Sequence, residues 1–271
     1  MAIYTDQLNR QLHISAGPRR IISLVPSQTE LLYDLGLRNE VVGITKFCRH
    51  PEEWFRNKTR VGGTKTYDFE KIEALAPDLI IGNKEENEQV QMERLMNQYP
   101  VWMSDIFTLA DALDMIARLG TLLDRTMKAE KLISQIQNAF SAFDSFVKKA
   151  SLQPKKVAYF IWRKPYMVAA EHTFIHHLLM RCGFQNAFQP GSFSRYPEIS
   201  LQQLKDADPE LILLSSEPYP FKEKHIAEFQ EICPNARIMT VDGELFSWYG
   251  SRLLKAPAYF SNLITALQHQ I

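Results

Sequence analysis

The same order of elements is written twice along this chain, and that repetition constrains its fold more than any single residue. Residues 19–36, RRIISLVPSQTELLYDLG, read as a β-branched strand, a Pro-Ser turn and a helix closing at Gly36. Residues 155–183, KKVAYFIWRKPYMVAAEHTFIHHLLMRCG, give a strand, a polar turn and a helix closing at Gly183. Each half continues with a matching phrase, DFEKIEALAPDLIIGNKEEN at 68–87 and SLQQLKDADPELILLSSEPY at 200–219. Both phrases are an amphipathic helix, an Ala-Pro or Asp-Pro stop and a short apolar strand. Strands alternating with helices predict an α/β architecture of two Rossmann-like lobes, each a mostly parallel sheet under helices. A cleft between two such lobes is where a small ligand is expected.

Between the repeats, residues 108–150 contain no proline and only Gly120. Leu109, Leu113, Ile116 and Leu119 mark one helix face, and Leu132, Ile136, Ala139, Phe143 and Val147 mark a second. Asp124-Arg125-Thr126 breaks the run. The second helix, of about 24 residues, spans roughly 36 Å and predicts a long rigid backbone helix joining the lobes. The predicted organisation is an N-terminal α/β lobe over 1–106, a helical connection over 107–153 and a C-terminal α/β lobe over 154–271. Predicted strands are 3–12, 21–25, 41–45, 79–82, 101–103, 157–162, 211–215 and 238–241. The last helix is expected over 251–270.

Lys plus Arg and Asp plus Glu both number 31, so no large field steers the chain to nucleic acid or an acidic membrane. No window approaches the roughly 18 apolar residues of a membrane span, so no membrane insertion is expected. The first residues, MAIYTDQLNRQLHISAGPRR, carry no apolar signal core. Three separated cysteines, Cys48, Cys182 and Cys233, do not form a disulfide framework. As written the chain reads as cytoplasmic, and as periplasmic if an upstream leader has been removed.

Ligands of parallel sheets sit beyond the carboxyl ends of the strands, which directs attention to a few loops. Cys48-Arg49-His50 sets a thiol and an imidazole two residues apart. The pair reads as ligands for a metal or metal chelate, as a nucleophile beside a base, or as a buried Cys next to a loop His. Gly62-Gly63-Thr64-Lys65 is a fragment of a phosphate loop or an ordinary tight turn, with Thr64 and Lys65 as donors. Glu85, Glu86 and Glu88 read as helix-capping acids. Trp162-Arg163-Lys164-Pro165-Tyr166 and Ser247-Trp248-Tyr249-Gly250-Ser251-Arg252 combine rings with cations at strand ends. They predict stacking platforms at Trp162, Trp248 and Tyr249, with Arg163, Arg252 and Lys65 pairing anionic groups. His172, His176 and His177 read as packed or solvated. No hydrolase, Walker or dinucleotide-binding motif is present, so nothing points to hydrolysis, phosphoryl transfer or hydride transfer.

RRIISLVPSQTELLYDLGL, VVGITKFCRHPEE, DFEKIEALAPDLII and RYPEISLQQLKDADPELILL, with the helical connection, resemble the cobalamin-binding solute receptors of ABC importers, within the helical-backbone metal-receptor superfamily. The resemblance runs from residue 19 onward. It implies two lobes bridged by a rigid helix, with cobalamin, haem or an iron-siderophore as ligand, no required cofactor, and an ABC permease as partner. It places ligand contacts at Phe47, Tyr196, Asp242 and Arg252. Thr64 and Asn83 stand where the family carries tryptophans, which implies a more polar ligand wall. Glu70 and Gln202 fall at permease-docking positions, and only Glu70 keeps the acid.

The expected function is therefore a solute-binding protein for a metal chelate. Its rival is a cytosolic enzyme or corrinoid- or metal-handling protein that uses Cys48 and His50 chemically. A third reading is a sensor passing ligand occupancy to a partner.

Overall fold

The computed structural model describes residues 2–14, 17–150, 153–188 and 194–268. They form two compact units: Met1–Ile106, Ala110–Ile136 and Tyr249–Arg252 in the first, and Phe107–Leu109, Gln137–Trp248 and Leu253–Ile271 in the second.

The first unit opens with an antiparallel pair, β1 (Ala2–Thr5) and β2 (Gln11–Ile14). This replaces the single strand expected over 3–12. Asp6 causes the reversal: its buried carboxylate takes the N–H groups of Leu8 and Arg10, each at 2.9 Å, and the Arg10 guanidinium. An aspartate that bonds its own neighbouring backbone favours a turn over a continuing strand.

The remaining elements of this unit alternate between strand and helix. They are β3 (Ile21–Ser23), α1 (Pro26–Asp34), β4 (Val41–Ile44), α2 (Glu52–Asn57), β5 (Thr59–Arg60), α3 (Phe69–Leu75), β6 (Leu79–Asn83), α4 (Gln89–Met96) and β7 (Val101–Ser104). The sheet order is β5-β4-β3-β6-β7, with every neighbouring pair parallel. β3, β6 and β7 are buried at every position, as strands covered on both faces must be.

Helices α5 (Leu109–Leu122) and α6 (Thr126–Ala150) follow. They break where the polar triplet predicted. Gly120 permits their close approach, because a Cβ there would stand 2.3 Å from the Cβ of Ala129. α6 is a single helix of 25 residues, about 37 Å at ~1.5 Å per residue. Its residues through Ile136 belong to the first unit and those from Gln137 to the second.

The second unit contains β8 (Lys156–Trp162), β9 (Met167–Val168), α7 (Phe174–Arg181), β10 (Gln185–Asn186), α8 (Leu201–Ala207), β11 (Leu211–Ser215), α9 (Ile226–Ile232), β12 (Arg237–Val241), α10 (Gly243–Ser247) and α11 (Ala256–Gln268). The parallel order is β10-β8-β11-β12, and β9 pairs antiparallel with the end of β8. Residues 251–254, expected as helix, form a 3-10 turn before α11. Residues 269 and 270 of that expected helix lie outside the described residues.

The written repetition is physical. α1 ends with Gly36 at φ +87, its N–H on Tyr33 O and the next N–H, of Leu37, on Leu32 O. α7 ends with Gly183 at φ +77, its N–H on Met180 O and that of Phe184 on Leu179 O. Both are Schellman closures, and the left-handed φ is why each is glycine. In the second phrase, Asp68 and Ser200 cap α3 and α8 with their side chains. The helices end in left-handed Ala76 (φ 41) and Asp208 (φ 42), each followed by proline. β6 and β11 then enter the sheets with all residues buried. Among the described residues, no helix is long and apolar enough to cross a membrane.

Candidate functional site

In the first unit, the carboxyl end of the sheet is built from the loops after β4, β5 and β6. Phe47 stands on the loop after β4 with 49% of its surface exposed, and the Lys46 ammonium lies 5.1 Å from its ring centre. Gly63 of the neighbouring loop packs under the ring, because a Cβ there would be 3.3 Å from it. The segment 62–67 is a tight turn rather than a phosphate cradle. Gly63 N donates to Thr66 O at 2.8 Å, and Gly62 sits at φ +113. The carbonyl of Thr64 is taken by Tyr67 Oη at 2.6 Å and Asn87 Nδ2 at 3.1 Å. Lys65 is exposed at the turn's tip.

Cys48 is fully buried, with the hydroxyls of Thr29 and Thr45 each 3.1 Å from its sulfur. Burial pushes its thiol up, away from the thiolate that a metal ligand or nucleophile needs. His50 is half-buried on the loop beyond. The described residues contain no group of three or more His, Cys, Asp or Glu placed to hold a metal ion. Of the three readings left open for this pair, the buried Cys with a loop His matches the geometry.

Asn83 is also buried and faces inward. Its Nδ2 donates to Ser104 Oγ at 3.0 Å, while its Oδ1 takes the N–H groups of Glu85 and Glu86. It shapes the loop after β6. The acids of that loop do not cap α4: Glu88 occupies the cap position without a side-chain bond, and the first turn contains no acid. Glu86 instead receives the Tyr249 hydroxyl at 2.6 Å.

Residues 249–252 are seated on the first unit by carboxylates. Besides Tyr249 on Glu86, Ser251 Oγ donates to Asp34. Arg252 reaches Glu30 through two bonds of 2.8 and 2.7 Å, with both side chains nearly buried. Gly250 is required by the fit, since a Cβ would lie 2.6 Å from Ser27 O. The expected Tyr249 platform is therefore corrected: its ring is 6% exposed, and burial holds its phenol protonated. The expected Arg252 anion clamp is corrected too, because its guanidinium pairs with Glu30.

In the second unit, Trp162 at the end of β8 keeps 38% exposure and meets Tyr219 edge-on at 5.7 Å. Its indole N–H donates to Lys164 O at 3.1 Å, which fixes the ring. Arg163 is committed to Glu228, with Nε at 2.8 Å, and Tyr166 donates to the same carboxylate. Burial alone would raise Glu228, but these two donors hold it below the usual carboxylate range. Tyr196 is half-buried a few residues ahead of α8. Asp242 caps α10 by accepting from Glu244 N at 3.0 Å, and its own N–H donates to Tyr259 Oη.

Trp248 is 7% exposed, so the platform expected there is also corrected. Its indole N–H donates to Glu217 Oε1 at 2.8 Å. Glu217 is a residue the sequence reasoning passed over. Its signal was its place: an acid two residues beyond an apolar strand, at the sheet's carboxyl end. Elsewhere, Glu70 is exposed in the first turn of α3 and Gln202 is exposed on α8.

Each unit thus offers an exposed ring, Phe47 or Trp162, at the carboxyl end of a parallel sheet. The periplasmic binding protein family matches residues 21–231. A vitamin B12-binding protein of Pectobacterium carotovorum subsp. carotovorum (strain PC1) is 26% identical over 253 residues, which cover 93% of this chain and 90% of that protein. The periplasmic vitamin B12-binding protein BtuF of Vibrio cholerae has a TM-score of 0.80 at 24% identity, covering 94% of this chain and 100% of that one. A periplasmic haem-binding protein of Pseudomonas aeruginosa has a TM-score of 0.79 at 22% identity, covering 91% and 92%. The two structures share the fold of this chain, and the match along most of its length shows that it belongs to the periplasmic binding protein family.

Proposed function

We propose that this chain is a solute-binding protein that takes a metal chelate of the cobalamin, haem or iron-siderophore type for an ABC importer. The observation that carries this reading is the family match over 21–231, supported by near full-length similarity to a vitamin B12-binding protein. Phe47 and Trp162 are the exposed rings suited to a planar ligand. The proposed polar contacts are Thr64 and Lys65 on the turn after β5, Asn83 through the loop it shapes, and Tyr196 ahead of α8. The metal arrives inside its chelate, and the protein acts by binding rather than turnover. Exposed Glu70 is the proposed permease contact, and the periplasm is the proposed location.

The test is titration of purified protein with cyanocobalamin, haemin and a ferric siderophore, followed by absorbance and calorimetry. One-to-one binding of one of them, weakened at least tenfold by Phe47→Ala or Trp162→Ala, supports the reading. A tenfold change corresponds to about 1.4 kcal/mol. Failure of all three to bind overturns it.

A further inference from the structure

At the carboxyl end of β11, Glu217 is fixed from several sides. Trp248 Nε1 and Ser247 Oγ both donate to its Oε1, at 2.8 and 2.9 Å. Its carbonyl takes Ser215 Oγ at 2.6 Å, and Ser215 Oγ in turn takes the buried Tyr159 hydroxyl at 3.1 Å. Gly243 clears the space: a Cβ there would lie 2.3 Å from Ser215 Oγ and 2.7 Å from Glu217 Cγ. An acid held this firmly has one oxygen occupied and one presented. No described residue donates to Oε2, and it is absent from the polar atoms sealed without a partner. The side chain as a whole is half-buried.

The charges that bear on Glu217 are both acids, Glu244 on α10 and Asp242 at the end of β12. The β8 side presents the neutral phenol of Tyr159. A carboxylate arriving here would be repelled, whereas an N–H or O–H donor would be attracted. Nothing in the surrounding core uses the second oxygen, and titratable groups held in such places mark functional sites.

We propose that Glu217 is a ligand-contact residue, offering Oε2 to a chelate whose rim carries N–H or O–H donors and disfavouring one whose rim carries carboxylates. The inference rests on the solute-binding reading above and narrows its ligand. Burial, reinforced by Glu244 and Asp242 and opposed by Ser247 and Trp248, pushes the Glu217 carboxyl up to about 7. Ionisation strengthens the acceptor, so a donor-bearing ligand binds more tightly as pH rises through neutrality.

The experiment compares cyanocobalamin, rimmed by carboxamides, with haemin, which carries two carboxylates, on the wild type and Glu217→Gln at pH 6 and 8. Cyanocobalamin should bind the wild type roughly three- to tenfold more tightly at pH 8 than at pH 6, the gain of a charge-assisted bond over a neutral one. Glu217→Gln should bind it equally at both. A variant that keeps the wild-type pH profile, or haemin outbinding cyanocobalamin at pH 8, overturns the inference while leaving the solute-binding reading standing. If the wild type binds neither probe, the solute-binding reading fails and this inference fails with it. A ligand-free control uses the indole N–H resonance of Trp248, assigned with Trp248→Phe. It should shift with a midpoint near 7 in the wild type and stay still in Glu217→Gln. A resonance that does not move in the wild type also overturns the inference.

Discussion

Glu217 and Arg252 show how differently two charged side chains behave once their partners are known. Glu217 has a folded-state value of about 7 against 4.5 for an ordinary glutamate. The native state therefore binds the proton more tightly than the unfolded chain. Its contribution favours folding at acid pH, declines above about 4.5 and is fully lost once pH has risen through 7. A tenfold gain in proton affinity on folding is worth ~1.4 kcal/mol, and partial access to solvent holds the whole effect to on the order of 2 kcal/mol. Urea denaturation at pH 5.5 and 8 should show Glu217→Gln flattening that decline, because the amide mimics the protonated acid. Arg252 forms a nearly buried two-bond pair with Glu30. Arg252→Met leaves an acid buried alone and should lower stability by about 3–5 kcal/mol, most of it recovered in Arg252→Met with Glu30→Leu. The sequence made Arg252, Trp248 and Tyr249 visible as chemically rich residues but hid what they do. Their partners, Glu30, Glu217 and Glu86, lie far away in the chain, and no local pattern announces such pairs. Phe47 and Trp162 keep open faces; the first was singled out by the family resemblance and the second by its place at a strand end.

At the scale of elements, the duplicated phrases were the most readable part of the chain. Their closures depend on local chemistry: glycine in a left-handed cap, an Asp or Ser at a helix start, a proline after the stop. Gly183→Ala should cost about 1 kcal/mol, since a Cβ at φ +77 is strained even though the nearest atom, of Val147, is 3.4 Å away. Ala76→Gly should act in the opposite direction, stabilising by about 0.5–1 kcal/mol, because Ala76 already bears that strain at φ 41. Thermal unfolding of the two variants checks both signs. The elements that escaped the sequence are short. α2 and α10 run for 6 and 5 residues, and β5, β9 and β10 for 2 each, too few for a hydrophobic period to register. The hairpin of β1 and β2 was hidden for another reason: one buried aspartate, Asp6, overrode an apolar-polar alternation that reads as a single strand.

At the scale of the whole molecule, the chain order and the unit order do not coincide. Tyr249–Arg252 belongs to the first unit, while the residues before and after it belong to the second. Four residues thus complete a unit that otherwise ends at Ile136. Replacing their contacts together, as Tyr249→Phe, Ser251→Ala and Arg252→Met, should speed hydrogen exchange in α1, which carries Glu30 and Asp34. Exchange in β11 should stay unchanged, and equal acceleration in both elements would refute the assignment.

That excursion bears on biosynthesis. A ribosome delivers residues in sequence, so the first unit emerges early but lacks the tetrapeptide that seats on α1. Until translation passes Arg252, the surface formed by Glu30, Asp34 and the Ser27 carbonyl waits uncovered, while the intervening second unit is still being made. A nascent chain stalled before Tyr249 should therefore expose an acidic, incompletely dressed α1 to chaperones. The closing step of assembly follows synthesis of the residues 137–248 that separate it from the rest of its unit, although that unit was begun before them.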